Sequence, residues 1–343
     1  MITNLHKAAL AAIVAVLLLS GGFVPAQAAG EVESAACRAI QWLDRQQRPD
    51  GGFGFTTQTS PAVTADVTYA LALFGEDLTG PRWTTPAGKN PLDALAAVAT
   101  VPPEPGRSSW VQADPGQAGK VARAVALAGG DTRNFGGVDL VQLIQGFYNP
   151  DTGFYHANFL FRHALAIEGL LRSGVTPPQD AYDALLDAQL DDGGWFWALG
   201  GAQSDVDTTG RVLQIISGVA QIQAPDAYAR AAGWLAEIQL PEGDWNTGAT
   251  PGPANSNSTA LAVGGLLATG HDPQAAPYLK GDVSALDALL AFQEPSGAFV
   301  YINLSGQEEV RVMATADALT ALAPLIGSGP VCKAIYLPVL LAH

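Results

Sequence analysis

Apolar residues recur along this 343-residue chain in two alternating textures. In the first, apolar positions lie three or four apart beneath a charged face, as at Ala36, Ile40 and Leu43, or Ala231, Leu235 and Ile238. That is the spacing of an amphipathic helix. In the second, small and apolar residues run with almost no polar face: ADVTYALALFG (65–75), AGKVARAVALAGG (118–130), FRHALAIEGLLRSG (161–174), DTTGRVLQIISGVA (207–220), SNSTALAVGGLLATG (256–270) and VMATADALTALAPL (312–325). These read as helices buried nearly all round. Six amphipathic partners can be matched to them, the less plainly marked ones starting near Pro91 and Val138. Runs of β-branched alternation are nearly absent, so strands have little support. The pattern therefore predicts an all-α fold of six outer plus six inner helices, closed into an α/α toroid (an α6/α6 barrel).

A repeat links the two textures. WLDRQQRPDGGFGF (42–55), LLDAQLDDGGWFW (185–197), WLAEIQLPEGDWN (234–246) and LLAFQEPSGAF (289–299) each place a Gln, three residues, a Gly, one residue and an aromatic after an apolar pair. The register is Gln47-Gly51-Phe53, Gln189-Gly193-Trp195, Gln239-Gly243-Trp245 and Gln293-Gly297-Phe299, with a looser copy at Asn149, Gly153 and Tyr155. Pro, Asp and Gly in these segments stop one helix and turn the chain into the next.

Composition narrows the setting. Residues 1–28, with Lys7, an apolar run from Ala8 to Leu19 and Ala26-Gln27-Ala28, read as a secretory signal peptide. The toroid is expected over 29–327, followed by a C-terminal tail at 328–343 that is apolar from Ile335 to Leu341. The apolar run is too short to span a bilayer, and no transmembrane segment is expected. Seventeen basic and 32 acidic residues give a net charge of −15, which argues against nucleic acid and anionic membranes as partners. Cys37 and Cys332 lie near opposite ends of the chain. A ring brings the first outer helix beside the last pair, so these two can meet in a disulfide; the alternative is two free thiols. No CxxC or HxxxH occurs, so no metal site is expected, and no cofactor motif appears.

RAAGWLAEIQLPEGDW (230–245) resembles the QW repeat of squalene and hopene cyclases and related terpene cyclases. Arg230, Ala231, Trp234, Leu235, Gln239, Gly243 and Trp245 fill its positions. The resemblance covers the chain through its repeats and implies the α/α toroid shared by terpene cyclases, protein prenyltransferases, cobalamin carriers and thioester proteins. In those families the Gln and aromatic positions are structural. The cyclases also carry an Asp-x-Asp-Asp-Thr acid motif at the start of an inner helix, whose middle Asp protonates the substrate. Here SDVDTT aligns Asp205 with the first carboxylate, Asp207 with the middle one and Thr209 with the threonine, while Thr208 replaces the third carboxylate.

That replacement weakens the upward push on the acid's pKa, and a helix N-terminus favours the ionised form. Asp66 and Asn257 stand before two other inner helices, which reads as a series of N-caps with Asp207 as a member. If the inner helices are parallel, their N-termini gather at one mouth. Asp205, Asp207, Asp66, Arg162, His163, Thr208, Asn257 and Arg311 belong to that end, with Trp195, Trp197 and Trp245 coming from the adjoining turns.

Several activities lack their elements: a Cys ligand for a prenyltransferase zinc, a Cys-Gly-Glu-Gln thioester, a G-x-S-x-G elbow. Val206-Asp207-Thr208 is similar to an inner-helix start in the cobalamin carriers. The leading expectation is an exported, noncatalytic binder of a small ligand (isoprenoid or cobalamin-like) or of a partner protein at this mouth. The alternative is a reduced class II terpene-cyclase-like enzyme with Asp207 as Brønsted acid. The third is a glycan-active enzyme using Asp205, Asp207 and Glu168.

Overall fold

A computed structural model describes residues 26–55, 58–101, 111–219, 222, 224–248, 251–302, 310–326 and 332. The expected leader, apart from residues 26–28, and the expected tail, apart from Cys332, lie outside the described residues. Twelve helices follow one another among the described residues. The outer ones are α1 (Ala26–Asp44), α3 (Pro91–Ala99), α5 (Leu140–Gly146), α7 (Gln179–Asp187), α9 (Pro225–Ile238) and α11 (Ala285–Leu290). The inner ones are α2 (Pro61–Leu73), α4 (Pro115–Leu127), α6 (Leu160–Arg172), α8 (Val206–Ile216), α10 (Ser256–Ala268) and α12 (Arg311–Leu322). A two-residue hairpin, β1 (Leu279–Lys280) and β2 (Val283–Ser284), precedes α11. Each inner helix packs on its two neighbours, and α12 returns to α2. The fold is the expected α/α toroid.

Two local features of the sequence make the inner ring possible. The inner helices are apolar on most faces, to the point that every residue of α10 from Ser256 to Leu266 is buried. They also meet through glycine. Gly119 and Gly169 face each other between α4 and α6, and Gly210 and Gly265 between α8 and α10. A Cβ on Gly119 would lie 2.2 Å from the carbonyl oxygen of Leu165, and one on Gly210 would lie 2.2 Å from that of Leu261. These backbones touch because no side chain stands between them.

The Gln of each repeat ties its turn to the next outer segment. Gln47 Nε2 donates to the carbonyls of Gly51 (3.0 Å) and Trp83 (2.8 Å). Gln189 does so to Gly193 (2.6 Å) and Ala227 (2.9 Å), and Gln239 to Gly243 (2.7 Å) and Tyr278 (3.1 Å). Gln293 donates to Gly297 (3.1 Å) and to Ala35 of α1 (2.8 Å), which closes the ring. The Cys37–Cys332 disulfide, with Cα atoms 5.2 Å apart, joins the same two ends. No helix among the described residues is long and apolar enough to cross a membrane.

The helix starts correct the expected caps. Helix α2 begins at Pro61 behind Ser60, and α4 at Pro115 behind Asp114. Proline is favoured at the first helical position, and these starts lie three or four residues ahead of the expected ones. Asp66 is thus in the interior of α2. Helix α10 is capped by Asn255, not Asn257, and α8 by Asp205, not Asp207.

Gly210→Ala is expected to force α8 and α10 apart and to cost about 1–3 kcal/mol, as overpacking does. A fall in the denaturant midpoint with an unchanged slope checks it; an unchanged midpoint would show that the contact can relax.

Candidate functional site

One hydrogen bond per repeat sets the register of the inner ring. The backbone N–H of the aromatic residue donates to a side chain inside the following inner helix. The pairs are Phe53 to Thr64 (2.9 Å), Trp195 to Thr209 (2.8 Å), Trp245 to Thr259 (3.1 Å) and Phe299 to Thr315 (2.9 Å). Tyr155 donates to His163 Nδ1 at 3.1 Å in the fifth. Residues two before and two after that pin share a helix face. They supply Phe161, Asp207, Asn257 and Met313 at one level and Asp66, Leu165, Arg211, Leu261 and Asp317 at the next. Lys120 comes from α4, and Trp197, Thr247 and Tyr301 lie two residues beyond three of the aromatics. With Asp205 and Thr208 these residues line a cavity of about 580 Å³ inside the barrel.

The two carboxylates of DVDTT divide their work. Asp205 is the cap. Its Oδ1 accepts from the Thr208 amide (2.7 Å), and its Oδ2 from the Thr208 hydroxyl (2.9 Å) and the Trp197 amide (2.7 Å). Burial nevertheless pushes its pKa up to about 6, against the Thr208 bond and with a further push from Asp207. Asp207 sits in the first turn of α8 and caps nothing. Its Oδ1 accepts from Ser258 Oγ at 2.6 Å, and Ser258 Oγ in turn accepts from Asn255 Nδ2 at 3.0 Å. No donor among the described residues reaches Oδ2. Burial raises the Asp207 pKa, while Ser258 and Arg211 pull it down.

Deeper in the barrel lies a chain of ion pairs. Lys120 Nζ donates to Asp66 Oδ2 (2.8 Å), Arg123 Nη2 to Asp66 Oδ1 (2.9 Å), and Arg123 Nη1 to Glu168 Oε2 (2.7 Å). Arg211 Nη1 approaches the same Glu168 oxygen at 3.9 Å. Arg123 also lies over the Tyr69 ring, 4.3 Å from its centre. Burial alone would raise the carboxyl pKa values, yet Lys120 and Arg123 hold Asp66 below its ordinary range. Arg123 and Arg211 likewise hold Glu168 down to about 2. Across the cavity, Asn257 Nδ2 donates to Asp317 Oδ2. Burial, and then the charge of Asp66, push Asp317 up to about 6.

Asp205, Asp207, Thr208, Trp197, Asp66 and Asn257 line the cavity, and five other expected residues do not. Trp195 and Trp245 are fully buried, their indole N–H groups bonded to the carbonyls of Leu185 and Leu235, each at 2.8 Å. His163 is fully buried too, with Nε2 at 3.0 Å from the Ala181 carbonyl; burial lowers its pKa to about 4, so it is neutral. It replaces the threonine pin of other repeats. Arg162 pairs with Asp114 and packs on Phe159, and Arg311 pairs with Glu294 at 2.8 Å. Glu168, offered as a third glycan-directed carboxylate, is not on the lining and stays ionised against Arg123. Sequence reading missed Lys120, Arg211, Asp317, Phe161 and Tyr301. The threonine register, once recognised, would have found all but Lys120. Among the described residues no group of three or more His, Cys, Asp or Glu could hold a metal ion.

No family model matches the chain. Over 165 residues, 47% of its length, it is 28% identical to drimenyl diphosphate synthase of Streptomyces showdoensis, and it spans 30% of that protein. Among solved structures it resembles a variant of the type II terpene cyclase MstE from Scytonema in complex with geranylgeranyl dihydroxybenzoate, with a TM-score of 0.62 at 16% identity, over 87% of this chain and 98% of that one. A protein from Actinoplanes scores 0.60 at 17% identity, over 86% and 99%. A glycosidase in complex with glucose scores 0.60 at 13% identity, over 89% and 100%. The chain therefore has the α/α-toroid fold found in type II terpene cyclases.

Glu168→Gln removes one of the two carboxylates that hold buried Arg123, Asp66 being the other, and should cost up to about 3–5 kcal/mol, the range for breaking one side of a buried pair. The Glu168 pKa is depressed on folding, so its contribution is complete above the ordinary 4.5 and is lost as pH falls toward about 2. Denaturation of both proteins from pH 7 to pH 2 should show the stability gap closing on the acid side.

Proposed function

We propose that this toroid protonates an isoprenoid alkene, with Asp207 as the Brønsted acid of a reduced class II terpene-cyclase-like site. The observation that carries the reading is the division of labour in DVDTT. Asp205 takes the cap, so the Oδ2 of Asp207 is left without a protein donor on the cavity wall. A carboxyl raised by burial holds its proton to higher pH than an exposed one. The proton moves from Oδ2 to one alkene carbon as the π pair forms the new C–H bond. The carboxylate left behind is stabilised by the Ser258 hydroxyl, Arg211 and the positive end of α8. The rings of Trp197, Phe161 and Tyr301 line the same space and can face the resulting cation.

The isoprenoid substrate class draws support from the name of the curated relative and from the ligand of MstE. A leader-like start and the Cys37–Cys332 disulfide support an extracytoplasmic location. One observation favours the second reading, a binder without chemistry: Thr208 stands where the cyclase motif has a third carboxylate.

Product analysis after incubation with farnesyl and geranylgeranyl substrates separates the two. Asp207→Asn should lower cyclisation by at least about 100-fold, the range of a lost general acid. Asp205→Asn, which can still cap, should cost less. Only the protonated acid donates, so the wild-type rate should be flat at low pH and fall as pH rises through the elevated pKa. A ligand retained unchanged by both wild type and Asp207→Asn would establish the binder.

A further inference from the structure

Among the described residues Arg211 is the one arginine that lines the cavity, and its guanidinium is under-used. The side chain is 4% exposed. Nη1 donates to Gln214 Oε1 at 3.2 Å, while Nε is buried with no acceptor. Nη2 also has no acceptor among the described residues. The carboxylates around it take their hydrogen bonds from other groups: Asp66 from Lys120 and Arg123, Glu168 from Arg123, Asp207 from Ser258 and Asp317 from Asn257. Glu168 lies 3.9 Å from Arg211, too far for a hydrogen bond. A buried guanidinium with open donors on a cavity wall calls for an acceptor that the protein does not provide.

We propose that Arg211 is a head-group site, and that the ligand of this cavity is an isoprenoid carrying a single carboxylate. The inference rests on the cavity being the ligand site proposed above. A planar carboxylate matches the guanidinium fork and forms charge-assisted, paired hydrogen bonds with it. A diphosphate suits the site less well. Asp66, Asp207 and Asp317 line the same cavity, and several negative charges among them would be repelled in low dielectric. An uncharged alcohol would leave most of the fork unfilled.

The placement also constrains how the ligand lies. Arg211 follows Asp207 by four residues on α8, one helical turn away on the same face. A chain anchored at Arg211 must fold back on itself to bring an alkene to Asp207, which is the compact shape a cyclisation needs.

Equilibrium binding of farnesoic acid, farnesol and farnesyl diphosphate, followed through the tryptophan fluorescence of the cavity residue Trp197, tests the proposal. Wild type should bind farnesoic acid at least tenfold more tightly than either of the others. Arg211→Gln should lose that preference and keep its affinity for farnesol. Arg211→Lys keeps the charge and loses the fork, and should retain part of the preference even if the Gln variant does not fold. Tighter binding of farnesyl diphosphate, equal binding of all three, or an Arg211→Gln variant that binds as wild type does would each overturn it. The last would mean that Arg211 serves only Asp207. Binding is read without turnover, so a failure of Asp207 as acid shows separately, as bound ligand that is never converted.

Discussion

The ring depends on a glutamine amide that donates twice. At each of four junctions its NH2 group satisfies the turn it sits in and the carbonyl of the next outer segment. A buried carbonyl left without a donor costs about 1–3 kcal/mol, so each amide fixes both the shape of a turn and its distance from the next helix. Gln293 does this between the last outer helix and Ala35 of the first, and an open row of helix pairs becomes a closed ring. Between α5 and α6 the slot holds Asn149, whose side chain accepts from Asp151 within its own turn. There the glycine contact of α4 with α6 brings the inner helices together instead.

Closure has an electrostatic consequence. Six packed helices bury the groups between them, and charges placed there must satisfy one another. Lys120, Asp66, Arg123 and Glu168 do so in a line across α2, α4 and α6. Such a chain adds little net stability, because desolvation offsets most of its attraction. Its consequence is positional. Of the paired charges Asp66 and Lys120 reach the cavity wall, where they lie with the carboxyls of raised pKa, Asp205, Asp207 and Asp317.

Much of this was legible in the chain. Helical spacing and the Gln-Gly-aromatic repeat gave the alternation of outer and inner helices, and the cysteines agreed with closure. The site was half legible. Six of the expected residues line the cavity, but nearness to a helix start does not select its lining. Register decides instead: Arg162 and His163 are neighbours of Phe161 in sequence and face elsewhere. The caps were misread because several polar residues precede each inner helix. Ser60-Pro61 and Asp114-Pro115 carry the stronger start signal, and at Asp205-Val206-Asp207 the cap is the carboxylate four residues before the threonine pin. Arg211 and Asp317 are marked only by their place two residues after a threonine pin, and Lys120 not even by that. Each looks like an ordinary polar residue in an apolar helix until the ring turns those faces toward one another.

The missing third carboxylate was the main argument against an acid here, and the geometry weakens it. Thr208 gives Asp205 both its amide and its hydroxyl, two donors that a carboxylate in its place could not match. Asp205 has three donors in all, a set that ordinarily pulls an acid well below its usual pKa. Its pKa is raised all the same, and burial is the largest cause. Burial likewise raises the Asp207 pKa, against the Ser258 donor and the charge of Arg211. Enclosure by the ring therefore pushes both carboxyls in the same direction as crowding by a third carboxylate would. A threonine at 208 is compatible with the acid proposed at 207, and it fixes the cap beside that residue.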